Sequence, residues 1–340
     1  MATKQKQTVA LDIMTSDDYD RAKDPEGVII TVYGEEGVGK TYSLANLPVT
    51  STLVIGFDTG VKVLKRLKLG HRLVQIRDDL SNIDACFEMI FESDEASPLW
   101  KQKKEMFPDG IKFVVIDHMT AMFNFLTNSF ADRRNHFIRT LKDAGDANAA
   151  MNRYIARFRS LADHGINIVF LALEQPYEIG STVGEDPRPI TKIMPFIGGK
   201  PAILTHLVGI SDVVGRFVHD TAKDTRAIRL FGNVTEKISC KSRFTEGVSE
   251  WPHQEWEPAD IFRLICKAHS IDPDKASTKV QKDNETEQAR LKESRGQRTT
   301  VKVDMRETSV PNSVTGSSNE SKKKNSKNDD GDGQLGGELK

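Results

Sequence analysis

The chain has 340 residues, 38% hydrophobic and 29% charged, with a formal net charge of −1. That is enough for one large domain or two modest ones, and it excludes a histone-like positive coat, so nucleic-acid binding would need a local patch or a charge built by assembly. No apolar run approaches the ~18–20 residues of a membrane span, the N-terminal stretch MATKQKQTVALDIM lacks a signal-like apolar core, and Cys86, Cys240 and Cys266 form neither a disulfide framework nor paired zinc ligands, which fits a reducing compartment.

Residues 1–26 are polar and mixed in charge and read as a weakly ordered arm. A β-branched run at 28–33 (VIITVY) predicts a buried strand, followed by a Gly-rich turn and a helix start at 41–47 that ends before Pro48. Residues 51–57 (STLVIGF) predict a second strand. Residues 111–116 (IKFVVI) predict a third, entered through the turn signal Pro108-Asp109-Gly110. Residues 148–164 predict a helix with Met151, Ile155, Phe158 and Leu161 or Ala162 on one face and Gly165 suited to its C-terminal cap. Residues 166–173 predict a fourth strand, and a long connection follows at 176–200. Three short strands are expected at 212–219, 227–231 and 237–244, extending the sheet as antiparallel hairpins, with a last amphipathic helix at 258–269. Strands alternating with helices give an α/β class with a mainly parallel sheet, here extended by antiparallel strands. The expected organisation is a core at 27–250, a C-terminal helix packed on it at 251–269, and a disordered polar tail at 270–340, where no aromatic residue occurs.

The chemistry concentrates at one place. Gly34, Glu35, Glu36, Gly37, Val38, Gly39, Lys40 and Thr41 match G-x-x-x-x-G-K-[ST] at every fixed position. Glycines let backbone N–H groups curl around phosphate oxygens, and the N-terminus of a following helix, from Tyr42, adds partial positive charge. In this motif the lysine meets the β- and γ-phosphates and the hydroxyl of Thr41 ligates Mg²⁺. Asp117 closes the run FVVID at the C-terminal end of a buried strand, where a carboxylate is placed to hold Mg²⁺.

With these motifs in this order, the chain resembles RecA-core ATPases. It is most similar to the compact phage-encoded ATP-binding proteins associated with recombination and single-strand annealing. The resemblance covers about 28–244 and implies a RecA-like P-loop core that binds ATP and Mg²⁺. Relatives carry a D-x-E at the end of the second strand, whose Glu positions the attacking water; here Asp58 is kept and the Glu position is Gly60. By the same resemblance Glu174 and Gln175, leaving the fourth strand, are placed to act on water and to sense the γ-phosphate. Lys241 and Arg243 match the cations that reach a neighbouring subunit's ATP. Segments 131–142 and 176–200, with basic residues among aromatics and glycines, match DNA-facing loops. Catalytic candidates are thus Lys40, Asp58, Glu174, Gln175, Lys241 and Arg243. His118, Trp251 and Trp256 carry less weight, as packing residues.

The implied function is an ATPase acting as a homo-oligomer on single-stranded DNA in recombination, annealing or replication. The tail would be a contact arm for a single-strand-binding or replication protein. No membrane is involved, and the location is cytoplasmic, the host's cytoplasm if the protein is viral. Two alternatives stand beside it. One is a nucleotide-gated loader or scaffold with little turnover, favoured by Gly60. The other is a P-loop kinase, with Arg133, Arg134 and Arg139 imitating a lid.

Overall fold

The computed structural model describes residues 26–66, 70–76, 80–179, 190–221, 225–230, 240–243, 257–258 and 260–294. In chain order it runs β1 (Ile29–Gly34), a 3-10 turn (Tyr42–Leu44), β2 (Thr52–Gly56), α1 (Lys62–Arg66), β3 (Arg72–Gln75), α2 (Ser81–Phe91), α3 (Pro98–Met106), β4 (Phe113–Asp117), α4 (Met119–Arg133) and α5 (Leu141–Asp163). It continues with β5 (Asn167–Ile179), β6 (Ile190–Phe196), α6 (Pro201–Ile210), β7 (Val213–Asp220), β8 (Thr225–Arg229), β9 (Lys241–Ser242), β10 (Glu257–Pro258), α7 (Ile261–Ala268) and α8 (Pro273–Ser294).

The central strands are the apolar runs of the sequence, and β1, β2 and β4 are buried at every residue. Strands buried on both faces lose the polar alternation of half-exposed ones, which is why they read as continuous Val/Ile/Leu segments. The order β3-β2-β4-β5-β1-β7 is parallel throughout; β8 and β9 pair antiparallel with β7, β10 with β8, and β6 with β5. This is the expected RecA-like α/β sheet. Apolar clusters lie on both of its faces. One gathers side chains of α2, α4, α5 and α6; the other gathers Leu44, Leu47, Leu64 and the apolar face of α7.

Helix α5 shows the local logic. Thr140 and Asp143 cap its start reciprocally, and its buried face is Met151, Ile155, Phe158, Leu161 and Ala162, closed by Gly165 at φ 80°. Phe158 packs between Phe87 and Phe170 at centroid distances of 4.8 and 5.5 Å. Truncating such a ring to alanine costs about 3–5 kcal/mol.

Four expectations need correction. The helix predicted over 41–47 is a single 3-10 turn with i→i+3 bonds such as Ala45 N to Tyr42 O at 3.0 Å, and Pro48 keeps the chain from continuing helically beyond it. The described residues of the connection expected over 176–200 are largely strand: β5 runs on to Ile179 and β6 returns beside it. The strand at 212–219 forms the expected antiparallel hairpin with β8 on one edge, but on the other edge α6 carries the chain over so that β7 lies parallel to β1. Finally, order persists past Ser270. Although α8 is polar, Asn284 is buried against the core, accepting from Val49 N at 3.0 Å and donating to Leu47 O at 3.1 Å. Glu287 meets Arg72 at 2.8 Å.

The expected arm at 1–25, the loop residues 180–189, the strand ends at 231, 237–239 and 244, Trp251, Trp256 and the tail from 295 lie outside the described residues. Among the described residues no helix is long and apolar enough to cross a membrane.

Candidate nucleotide site

Residues 34–41 leave the C-terminal end of β1 as a tight loop. Gly37 and Gly39 have φ of 74° and 107°, values that side chains with a Cβ rarely adopt. At Gly34 the demand is space, since a Cβ there would lie 2.7 Å from the carbonyl oxygen of Phe217 on β7. The loop tip, Glu35 to Gly37, is exposed, and Tyr42 is 55% exposed at the start of the 3-10 turn. With one turn in place of a helix, the expected dipole contribution shrinks. Phosphate binding then rests on the loop N–H groups and Lys40.

Lys40 is buried. Its Nζ donates to Gly34 O at 2.9 Å and Glu35 O at 2.6 Å, both carbonyls of its own loop. Burial pushes its pKa down, against the opposing pull of Asp117, Glu174, Glu36 and Asp58. Thr41 Oγ1 donates to Asp117 Oδ2 at 2.7 Å. Asp117 is 3% exposed. Burial pushes its carboxyl up to about 6, the Thr41 hydroxyl bond works the other way, and the carboxylate of Asp58 adds to the rise. A hydroxyl and a carboxylate are hard oxygen donors suited to Mg²⁺. Among the described residues no three His, Cys, Asp or Glu side chains gather as a metal site. Phosphate oxygens and water would therefore complete the shell, as Mg²⁺ accepts.

Asp58 stands across from this pair. Its Oδ1 accepts from Gly60 N at 2.8 Å and its Oδ2 meets His118 Nε2 at 3.1 Å. His118 caps α4, its Nδ1 accepting from Ala121 N at 3.2 Å, which leaves the ring proton on Nε2, facing Asp58. The His118 bond holds the Asp58 carboxyl below its usual value. His118, given little weight from sequence, is thus part of the site. Its signal was adjacency to Asp117.

Glu174 is not free to act on water. Arg216, from β7, grips it twice, Nε to Oε2 and Nη2 to Oε1, both at 2.9 Å. Gln175 Oε1 is buried without a hydrogen-bond partner. Arg216 and Arg226 were not singled out by sequence. Arg226, on β8, lies against the loop, 3.2 Å from where a Cβ on Gly39 would sit. Neither has a local motif, because the fold brings both to the loop from the far side of β1. A cleft of about 450 Å³ opens between Glu35, Glu36 and Val38 on one side and Arg216, Phe217 and His219 on the other.

Lys241 and Arg243 are not brought to this site. They lie at the opposite end of the strands, beside the start of β7. Lys241 Nζ donates to Val208, Gly209 and Ser211 carbonyls at 2.9, 3.2 and 2.7 Å. Arg243 meets Gly209 O at 2.6 Å and Asp212 at 3.2 Å. Both cations cap the C-terminus of α6 in their own chain. In the segment 131–142, Arg134 is bound to Asp143 and Asp146, and His136 to Asp143. That braces a loop on which Phe137, Ile138 and Leu141 are exposed at 102%, 78% and 94%, flanked by exposed Arg133, Arg139 and Lys142.

Residues 26–244 match a family model described as an AAA domain. No curated protein matches the chain. Similar solved structures include the flagellar accessory protein FlaH from Methanocaldococcus jannaschii, at 11% identity and a TM-score of 0.32 over 63% of this chain and 82% of that one.

Proposed function

The chain belongs to the AAA-domain family of P-loop nucleotide-binding ATPases, and we propose that it is a Mg²⁺-dependent ATPase that works as a homo-oligomer on single-stranded DNA in recombination, annealing or replication. One observation carries the nucleotide part. The complete phosphate loop ends β1, with Thr41 hydrogen-bonded to the buried Asp117 at the same edge of the sheet. Lys40 would meet the terminal phosphates, Thr41 and Asp117 would hold the cation, and Asp58, oriented by His118, would face the attacking water in place of the side chain that Gly60 lacks.

The DNA part is supported by the 134–141 loop. An exposed aromatic ring among apolar and cationic side chains, on a braced base, is the composition that stacks bases and tracks a phosphate backbone. A second reading, a nucleotide-gated loader with little turnover, is favoured by Gly60 together with the engagement of Glu174 by Arg216. The kinase reading loses one of its three lid arginines, since Arg134 is occupied by Asp143 and Asp146, while Arg133 and Arg139 stay exposed.

The test is binding of a fluorescent ATP analogue with Mg²⁺ to the full chain and to Lys40→Ala, followed by phosphate release with and without single-stranded DNA at several protein concentrations. Equal nucleotide affinity in the two proteins removes the site assignment. Binding without turnover under any condition selects the gated loader.

A further inference from the structure

We propose that Arg216 reads the γ-phosphate from within the same chain, and that Glu174 is the counter-ion it holds while no γ-phosphate is present. The proposal rests on the nucleotide reading above and assigns a role that neither motif nor comparison gives.

The sheet order places β7 and β5 on either side of β1. Tyr33 on β1 is level with Arg216 on one side and Ala172 on the other, and Gly34, which opens the phosphate loop, is level with Leu173. Glu174 therefore lies one residue beyond the end of β1. Its bidentate contact with Arg216 crosses over the point where the chain turns into the phosphate loop. The Lys40 ammonium sits at that same point, on the carbonyls of Gly34 and Glu35. The pair is largely sheltered, 17% exposed at Arg216 and 13% at Glu174.

In a loop of this motif the lysine meets the β- and γ-phosphates. A γ-phosphate at Lys40 thus brings anionic oxygens beside the Glu174 carboxylate. A guanidinium fork fits either anion with two parallel N–H bonds. Arg216 can therefore pass from carboxylate to phosphate, or bridge them, with little rearrangement. Without Arg216, Glu174 would repel the γ-phosphate in a sheltered place where charges are weakly screened. ADP lacks that phosphate and is indifferent to the exchange. Of the two arginines that the fold brings to this end of β1, Arg226 and Arg216, it is Arg216 that grips Glu174.

A merely structural bridge between β5 and β7 would change stability and leave the preference for ATP over ADP untouched. The experiment is therefore a ratio. ATP and ADP affinities, each with Mg²⁺, are measured by calorimetry for the full chain, Arg216→Gln and Glu174→Gln. Arg216→Gln should lose about tenfold or more in ATP affinity, the scale of one charge-assisted contact, while ADP affinity stays within about twofold. Glu174→Gln should raise the ATP-to-ADP ratio by about threefold or more, since the opposing carboxylate is gone. An unchanged ratio in Arg216→Gln overturns the proposal. Should that variant fail to fold, a ratio in Glu174→Gln that is unchanged or lowered overturns it. If the unsubstituted chain binds neither nucleotide, the function reading itself falls. If it binds both and only the variants' ratios stay flat, only the proposal falls.

Discussion

Asp117→Asn should stabilise the protein in the absence of divalent cation while abolishing its use of one. The carboxyl is 3% exposed, and burial lifts its pKa from the usual 3.8 to about 6. A raised carboxyl means that the folded chain holds the proton more tightly than the unfolded chain. The penalty of burying the charge is therefore absent below about pH 4 and grows as pH rises, reaching its full size above about pH 6. Two pKa units correspond to about 3 kcal/mol, a figure that already contains the opposing pulls of Thr41, His118 and Lys40. Asparagine keeps an oxygen to accept from Thr41 and carries no charge. Urea unfolding of both proteins with chelator present, at pH 4.5 and pH 7.5, reads the effect. The variant should be more stable at pH 7.5, and its margin should shrink to about a third at pH 4.5. A variant that is less stable at pH 7.5, or a difference that does not change with pH, would refute the reasoning, because the charge of Asp117 would then not be the burden that its burial implies.

Three further outcomes follow from the same geometry. Asn284→Ala removes two buried backbone contacts of α8 and should cost about 1–3 kcal/mol, seen as a lower urea midpoint at unchanged slope; no shift would mean that α8 is not part of the folded unit. His118→Ala should lower turnover by about tenfold or more with ATP affinity within about twofold, and His118→Gln, which keeps a donor toward Asp58, should recover part of it; equal losses in both variants would leave His118 as a packing residue. Phe137→Ser should leave stability within about 0.5 kcal/mol, since the ring is fully exposed, yet weaken single-stranded DNA binding by about 1–3 kcal/mol in a filter or anisotropy assay; unchanged DNA affinity would remove the loop from the DNA reading.

What the sequence makes legible here is local. The phosphate loop is contiguous, and β1, β2, β4 and β5 are apolar runs whose burial follows from their composition, so the parallel core and the placement of Lys40, Thr41 and Asp117 could be read directly. The pairing of Glu174 with Arg216 could not, since the two residues are joined only by the order in which β5, β1 and β7 lie side by side. The same holds for Lys241 and Arg243. By resemblance they match cations that reach a neighbouring subunit's nucleotide, and the antiparallel pairing of β9 with the start of β7 puts them at the opposite end of the strands from their own chain's phosphate loop. Helix α8 was missed for another reason. Its composition is that of a disordered segment, and it is held by Asn284 and Glu287, which hydropathy counts as solvent-facing.

The charges at the end of β1 point to one kind of ligand. Glu174 and Arg216 neutralise each other inside the chain, as do Arg134 and Asp143 farther away. Lys40 and Asp117 are not compensated in that way. Lys40 rests on neutral carbonyls and is pushed toward losing its proton, whereas Asp117 rests on one hydroxyl and is pushed toward gaining one. Their shifts have opposite sign and the same cause, so the ligand-free fold carries two separate electrostatic costs. An anion alone relieves Lys40 but adds like charge near Asp117. A cation alone relieves Asp117 but adds like charge near Lys40. A phosphate chain and a divalent cation together relieve both. The rise in melting temperature with ATP and Mg²⁺ together should therefore exceed the sum of the rises with either alone, and this excess should vanish in Asp117→Asn. Additive shifts in the unsubstituted protein would mean that the two buried charges are not answered by the same ligand.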